Sequence, residues 1–149
     1  MENRSTLRAN LGWLDTEYDN FQYTDAVSQQ TVDLSFLEFR RAPDMTATLD
    51  ATYEWDTAYG RAWVRGAYHY LGEHWVNVTN SPELENDAQS LIDASVNFEM
   101  NNWRFALFGR NLSDEDGYTH GYDVAGPWSY AAVRAPRTFG IEAIYEFGD

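Results

Sequence analysis

The sequence has no cysteine, which excludes a disulfide framework and any thiolate metal site. Basic residues are scarce, 10 against 24 acidic ones, for a formal charge of −14. Such a chain repels phosphate backbones, so no nucleic-acid partner is expected. Nowhere do about 18 apolar residues run together, which excludes a membrane-spanning helix but leaves a spanning barrel open. Residues 1–20 lack the basic start, apolar run and small-residue cleavage site of a secretory signal. Nucleophile elbows, phosphate loops and His-Glu-x-x-His runs are missing as well. Nothing marks one pair of carboxylates for acid–base work, so neither enzymatic activity nor a cofactor is expected.

What the chain has in abundance is aromatic rings, with Trp 6, Tyr 10 and Phe 8 in 149 residues. Rings favour strands and boundaries that are dry on one side and wet on the other. The length suits one domain. Residues 45–55 alternate most cleanly, with Met45, Ala47, Leu49, Ala51, Tyr53 and Trp55 against Thr46, Thr48, Asp50, Thr52 and Glu54, the period of a strand with one greasy face. Similar alternation over 7–14, 61 to about 75, 92–100, 103–111 and 137–147 predicts six strands in all.

The connections are sorted by length. Polar stretches 15–43, 77–89 and 112–136 are long, the first with room for a short strand of its own, whereas 56–60 and Asn101-Asn102 are short. Long and short alternate strictly, so the short turns all fall at one end. Two architectures fit the alternating faces: a soluble antiparallel sandwich closing on a core, or a transmembrane barrel with lipid outside. Loop sorting, spans of about 9 to 11 residues and a second face repeating Arg, Asp, Glu and Thr favour the barrel. Trp55, Trp103, Tyr145 and Phe147 near the short turns, with Trp13, Tyr68 and Tyr70 near the long loops, are placed as interfacial girdles.

Candidate site residues lie in the third long connection: Tyr118, His120, Tyr122, Trp128 and Tyr130. Outside the membrane layer they can stack on the rings or sugars of a ligand, or pack the loop against its neighbours. No metal site is expected. His69 and His74 are an odd number apart and point to opposite faces of a strand. Asp114, Asp116 and Gly117 approximate a calcium loop but with Leu112 where the first carboxylate belongs. Asn77-Val78-Thr79 and Asn111-Leu112-Ser113 match glycosylation triplets, which arise often by chance.

The run Phe108-Gly109-Arg110-Asn111-Leu112-Ser113-Asp114-Glu115-Asp116-Gly117-Tyr118, followed by Ala135-Pro136-Arg137-Thr138-Phe139-Gly140 and Tyr145-Glu146-Phe147, resembles the C-terminal end of TonB-dependent outer-membrane receptors. So does Leu11-Gly12-Trp13-Leu14-Asp15-Thr16-Glu17-Tyr18, followed by Arg41-Ala42-Pro43-Asp44-Met45-Thr46-Ala47. One departure is Gly148-Asp149 after Phe147, where such receptors usually finish on an aromatic residue.

The resemblance implies a barrel of about 22 strands around a plug domain, in the bacterial outer membrane, taking up a scarce nutrient with energy from the inner membrane. Residues 1–149 would then be its C-terminal segment, an all-β antiparallel up-and-down meander without plug or signal peptide, inactive alone. Implied partners are outer-membrane lipid, the remaining strands and plug, the TonB complex only through the missing N-terminal part, and a small-molecule ligand: ferric siderophore, cobalamin or saccharide. The alternative is a soluble β-sandwich carbohydrate-binding module with the loop aromatics as its platform.

Overall fold

A computed structural model describes residues 3–24, 28–124 and 128–148. In chain order the strands are β1 (Arg4–Trp13), β2 (Gln22–Thr24), β3 (Thr31–Asp33), β4 (Met45–Thr57), β5 (Gly60–Leu71), β6 (His74–Trp75), β7 (Glu85–Asn86), β8 (Gln89–Met100), β9 (Trp103–Arg110), β10 (Tyr118–Val124), β11 (Trp128–Val133) and β12 (Thr138–Tyr145). The long strands form one antiparallel meander in the order β1-β4-β5-β8-β9-β12. The rest pair as small hairpins, β2 with β3, β6 with β7 and β10 with β11. Among the described residues no helix is long and apolar enough to cross a membrane.

Register turns the alternation of each strand into rows across the sheet. Leu7, Ala51, Gly66, Ala94, Gly109 and Phe139 form one row, and Tyr53, Val64, Val96, Leu107 and Ile141 another on the same face. No Asp, Glu, Arg or His stands on this face in any of the six strands. Toward the tight turns it ends in rings: Trp103 stacks on Phe105 at 5.6 Å and meets Tyr145 at 4.9 Å, and Tyr145 meets Phe147 at 4.7 Å. From Met45 to Trp55 the strand runs about 33 Å, which at a tilt of about 40° spans about 25 Å along the sheet normal to the rims, the height of an outer-membrane apolar band.

No second sheet among the described residues covers this face, although Leu112 lies against it at Gly109. Leu7 is 69% exposed, Val96 53% and Ile141 84%. Buried apolar side chains are limited, among the described residues, to Ala62, Ala67, Val76 and Leu84. A sandwich would need a second sheet against the greasy face, and the six long strands form a single sheet.

The opposite face carries charge in cross-strand pairs. Arg65 is bound to Asp50, with Nε donating to Oδ1 at 2.9 Å. Arg61 and Arg104 flank Glu99 at 3.2 and 3.9 Å, and Arg104 reaches Glu146 at 3.6 Å. Phe108 is one of several apolar residues on this face, with Trp63, Leu91 and Ile144, and it lies across Gly140, its registered partner, with the Arg110 guanidinium 5.2 Å from its ring centroid. A glycine opposite a ring leaves the ring room to lie flat on the sheet.

Several boundaries differ from those the alternation predicts: β1 and β8 begin earlier, at Arg4 and Gln89, β12 covers only Thr138–Tyr145, and the β4–β5 pair differs at both its turn and its end. The first tight turn is only Ala58-Tyr59, because β4 and β5 continue pairing to Thr57 and Gly60. Thr57 Oγ1 closes it by accepting the N–H groups of Tyr59 at 3.2 Å and Gly60 at 3.1 Å. The second strand of this pair stops at Leu71, not near 75. Gly72 N–H donates to the Met45 carbonyl at 2.8 Å, where β4 begins, and beyond that rung the chain leaves β4 to pair with β7 instead. The turn at Asn101-Asn102 is as expected, with Asn101 at φ 51°. Both tight turns thus sit at one end and the three long connections at the other. The outer edges of β1 and β12 have no strand beside them among the described residues.

Candidate functional site

The three long connections are tied to one another rather than left as separate loops. Arg41 N–H donates to the Trp75 carbonyl at 2.7 Å, Trp75 Nε1 to Glu38 at 3.2 Å, and Glu38 N–H to Asn80 Oδ1 at 2.7 Å. Arg41 also reaches the Thr119 carbonyl at 2.7 Å, linking first connection to third. Between second and third, Asn86 accepts from the Tyr118 N–H at 2.8 Å and donates to its carbonyl at 2.9 Å, as a strand neighbour would. The buried polar side chains among the described residues, His74, Asn77, Asn86, Gln89 and Asn111, all belong to this end of the molecule, where each needs a partner to be tolerated.

Strands β10 and β11 form a hairpin within the third connection, with Tyr122 paired to Tyr130 and His120 to Ala132. Alternation then puts His120, Tyr122, Trp128 and Tyr130 on one face. Tyr130 is the hub: Tyr122 and Trp128 lie 6.3 Å from it and His120 6.2 Å, edge-on. Tyr118 does not join them, because a register shift between Tyr118 and His120 breaks the alternation and Asn86 holds its backbone against β7. Of the five predicted residues the structure brings four together, and Tyr118 stands apart from them.

The reverse face docks the hairpin. Gly121 lies against buried Leu84 so closely that a Cβ would come within 2.6 Å of it. Asp123 Oδ2 accepts from Asn77 Nδ2 at 2.9 Å, Thr79 Oγ1 at 2.9 Å and the Ser81 hydroxyl. Packing against neighbours is thus done by Gly121 and Asp123, and the rings face outward, with Tyr122 60%, Trp128 59% and Tyr130 49% exposed.

A structure search places this meander beside a known one. The ferric yersiniabactin uptake receptor FyuA from Yersinia pestis matches over 73% of this chain with a TM-score of 0.65 and 24% sequence identity. Over those residues the chain shares the fold of that protein. It spans 17% of the length of that receptor. No family model matches the sequence.

Within the meander and its connections the other residues singled out above take structural places. His69 pairs within β5, while His74 lies beyond the break, buried, with Nδ1 2.8 Å from the Gly72 carbonyl and Nε2 3.2 Å from Asn86. Among the described residues no group of three or more His, Asp and Glu is arranged to hold a metal. Asp114 is occupied by Arg137 at 2.9 Å. Asn111, of the second glycosylation triplet, is buried at φ 50° and donates to the carbonyls of Glu115 at 3.0 Å and Ala135 at 3.2 Å. Its amide is spent on shaping the loop and is closed to glycosylation, as is Asn77 behind Asp123.

Sequence reasoning missed Asp123, Asn86 and Asn111 as organisers. The readable signal was the alternation of His120 and Tyr122 with Gly121 and Asp123 around the Gly126-Pro127 turn dipeptide. Charge gathers here too: a cleft of about 830 Å³ is lined by Glu85, Asp87, Asp114, Glu115 and Asp116 with Arg134. Burial, then the charge of Glu73, raises the carboxyl pKa of Glu85 above its ordinary 4.5. Asp33 moves the other way, held below 3.8 by the hydroxyl and N–H of Ser35.

Proposed function

We propose that residues 1–149 are the C-terminal barrel segment of a TonB-energised uptake receptor in the bacterial outer membrane. The observation that carries this is the charge-free apolar face spread over six paired strands with no layer upon it. Lipid is the one solvent in which that face is stable, and the charged face belongs toward a wet lumen. The free edges of β1 and β12 await the remaining strands, and the charged face a plug, both supplied by the rest of the receptor. Energy from the TonB complex reaches this segment only through that remainder, so alone it transports nothing.

The linked long connections form part of the extracellular mouth, and His120, Tyr122, Trp128 and Tyr130 present a ligand-binding surface there. The transported nutrient belongs to the classes such receptors serve, ferric siderophore, cobalamin or saccharide. Extraction tests the membrane reading: expressed protein is expected to stay with the membrane pellet through urea washes and to need detergent for release. A monodisperse monomer in buffer without detergent would sink it.

A further inference from the structure

We propose that the outward face of the β10–β11 hairpin is a saccharide subsite, where the flat C–H face of an uncharged pyranose lies across Tyr130 and its neighbours. This rests on reading the long-loop end as a receptor mouth, and it names the ligand class. Shape comes first. The ring planes of Tyr122 and Trp128 tilt by 35° and 37° from that of Tyr130, with centroids 6.3 Å away, which makes a broad, shallow platform rather than a closed slot. Its polar tips come second. The hydroxyls of Tyr122 and Tyr130, the Trp128 indole N–H and the His120 ring bond to no described residue, so the platform is rimmed by unspent donors and acceptors.

Charge decides the class. Residues 118–133 contain no basic residue other than His120, and all ten cationic side chains of the protein are arginine. Two guanidinium groups beside the hairpin, Arg41 and Arg134, donate to the Thr119 carbonyl at 2.7 Å and Gln89 Oε1 at 2.5 Å. An anionic chelate depends on charge-assisted donors, and the hairpin itself offers none besides His120. A neutral sugar offers what this surface can use, an apolar ring face to stack and hydroxyls for the tyrosine, indole and imidazole tips.

The test titrates the full chain, folded in detergent micelles, with maltohexaose, cellohexaose and xylohexaose, and separately with hexagalacturonate and ferric citrate as anionic probes. Calorimetry and indole emission are followed. Saturable binding of at least one neutral oligosaccharide is expected, weakened about tenfold by Tyr130→Ala and about fivefold by Tyr130→Phe, which keeps the ring and loses the hydroxyl. Tyr122→Ala, peripheral to the hub, is expected to weaken the same probe with the far-ultraviolet dichroism unchanged, so that loss of binding is separated from loss of the hairpin. Tyr130-dependent binding of an anionic probe in place of the neutral ones overturns the saccharide assignment and leaves the receptor reading standing. So does absence of binding by every neutral probe in a chain that stays with the membrane pellet, whereas release of the chain into buffer overturns the receptor reading itself.

Discussion

Leu49 shares a row with Ala9, Tyr68 and Ile92 midway along the apolar face. Leu49→Arg is expected to cost about 2–4 kcal/mol in a bilayer, with the cost falling as the bilayer is made thinner, because a charge nearer an interface finds water sooner. Unfolding titrations in vesicles of short- and long-chain lipids check this, and a cost that ignores thickness would remove the lipid contact. At the other end, Glu85 is a carboxylate that folding makes harder to ionise. The folded protein holds its proton more tightly than the unfolded chain, so the β6–β7 pairing is strongest in acid and weakens as pH rises from the ordinary 4.5 through the raised value. Hydrogen exchange at Trp75 and Glu85 across about pH 4 to 7 should show that loss, and Glu85→Gln should flatten it.

At the scale of elements, the tight hairpin β4–β5 depends on Gly60, which holds φ 155° with its Cα so near the next strand that a Cβ would sit 2.0 Å from the Glu99 carbonyl oxygen. Gly60→Ala is expected to cost more than about 2 kcal/mol, since both the backbone angle and the contact resist the methyl group. Comparison with Ala58→Gly, in the same turn but without that contact, isolates the effect in the same unfolding titration. The aromatic hairpin has a different anchor. Asp123→Ala takes away the one carboxylate oxygen that Asn77, Thr79 and Ser81 share as acceptor, a penalty of about 1–3 kcal/mol. Amide exchange in β10 and β11 should speed up while the six-stranded sheet stays protected; equal acceleration in both would mean that Asp123 supports the whole molecule rather than the hairpin.

For the molecule as a whole, the open edges dominate. A free strand edge is a template for further pairing, and β1 and β12 each present one among the described residues. The chain alone in micelles is therefore expected to self-associate through its edges. Proline at Ala143, within β12, should reduce that association by removing a ladder donor, as read by cross-linking. The surface ion pairs along the charged face are about half exposed, Arg61 50% and Glu99 36%, and each contributes at most about 1 kcal/mol in water. The pairs align the face more than they hold the sheet together.

Much of this was legible in the amino-acid order alone. Period-two alternation at residues 45–55 or 92–100 states which side chains share a face, because the pleat alone dictates that. The Asn101 turn was legible for the same local reason. The end of β5 at Leu71 was not, since it depends on where its partner begins, at Met45, some 26 positions back along the register. Tyr118 was grouped with four rings it does not join because a register shift is a property of two strands together. Nor does any local pattern announce that the amides of Asn77 and Asn86 and the carboxylate of Asp123 meet across two connections. Sequence by itself determined six alternating strands with their turns sorted to one end. Only the tertiary structure decided that no second sheet lies on the greasy face and that the aromatic hairpin turns its rings outward, because what covers a face is chosen by residues distant in the chain.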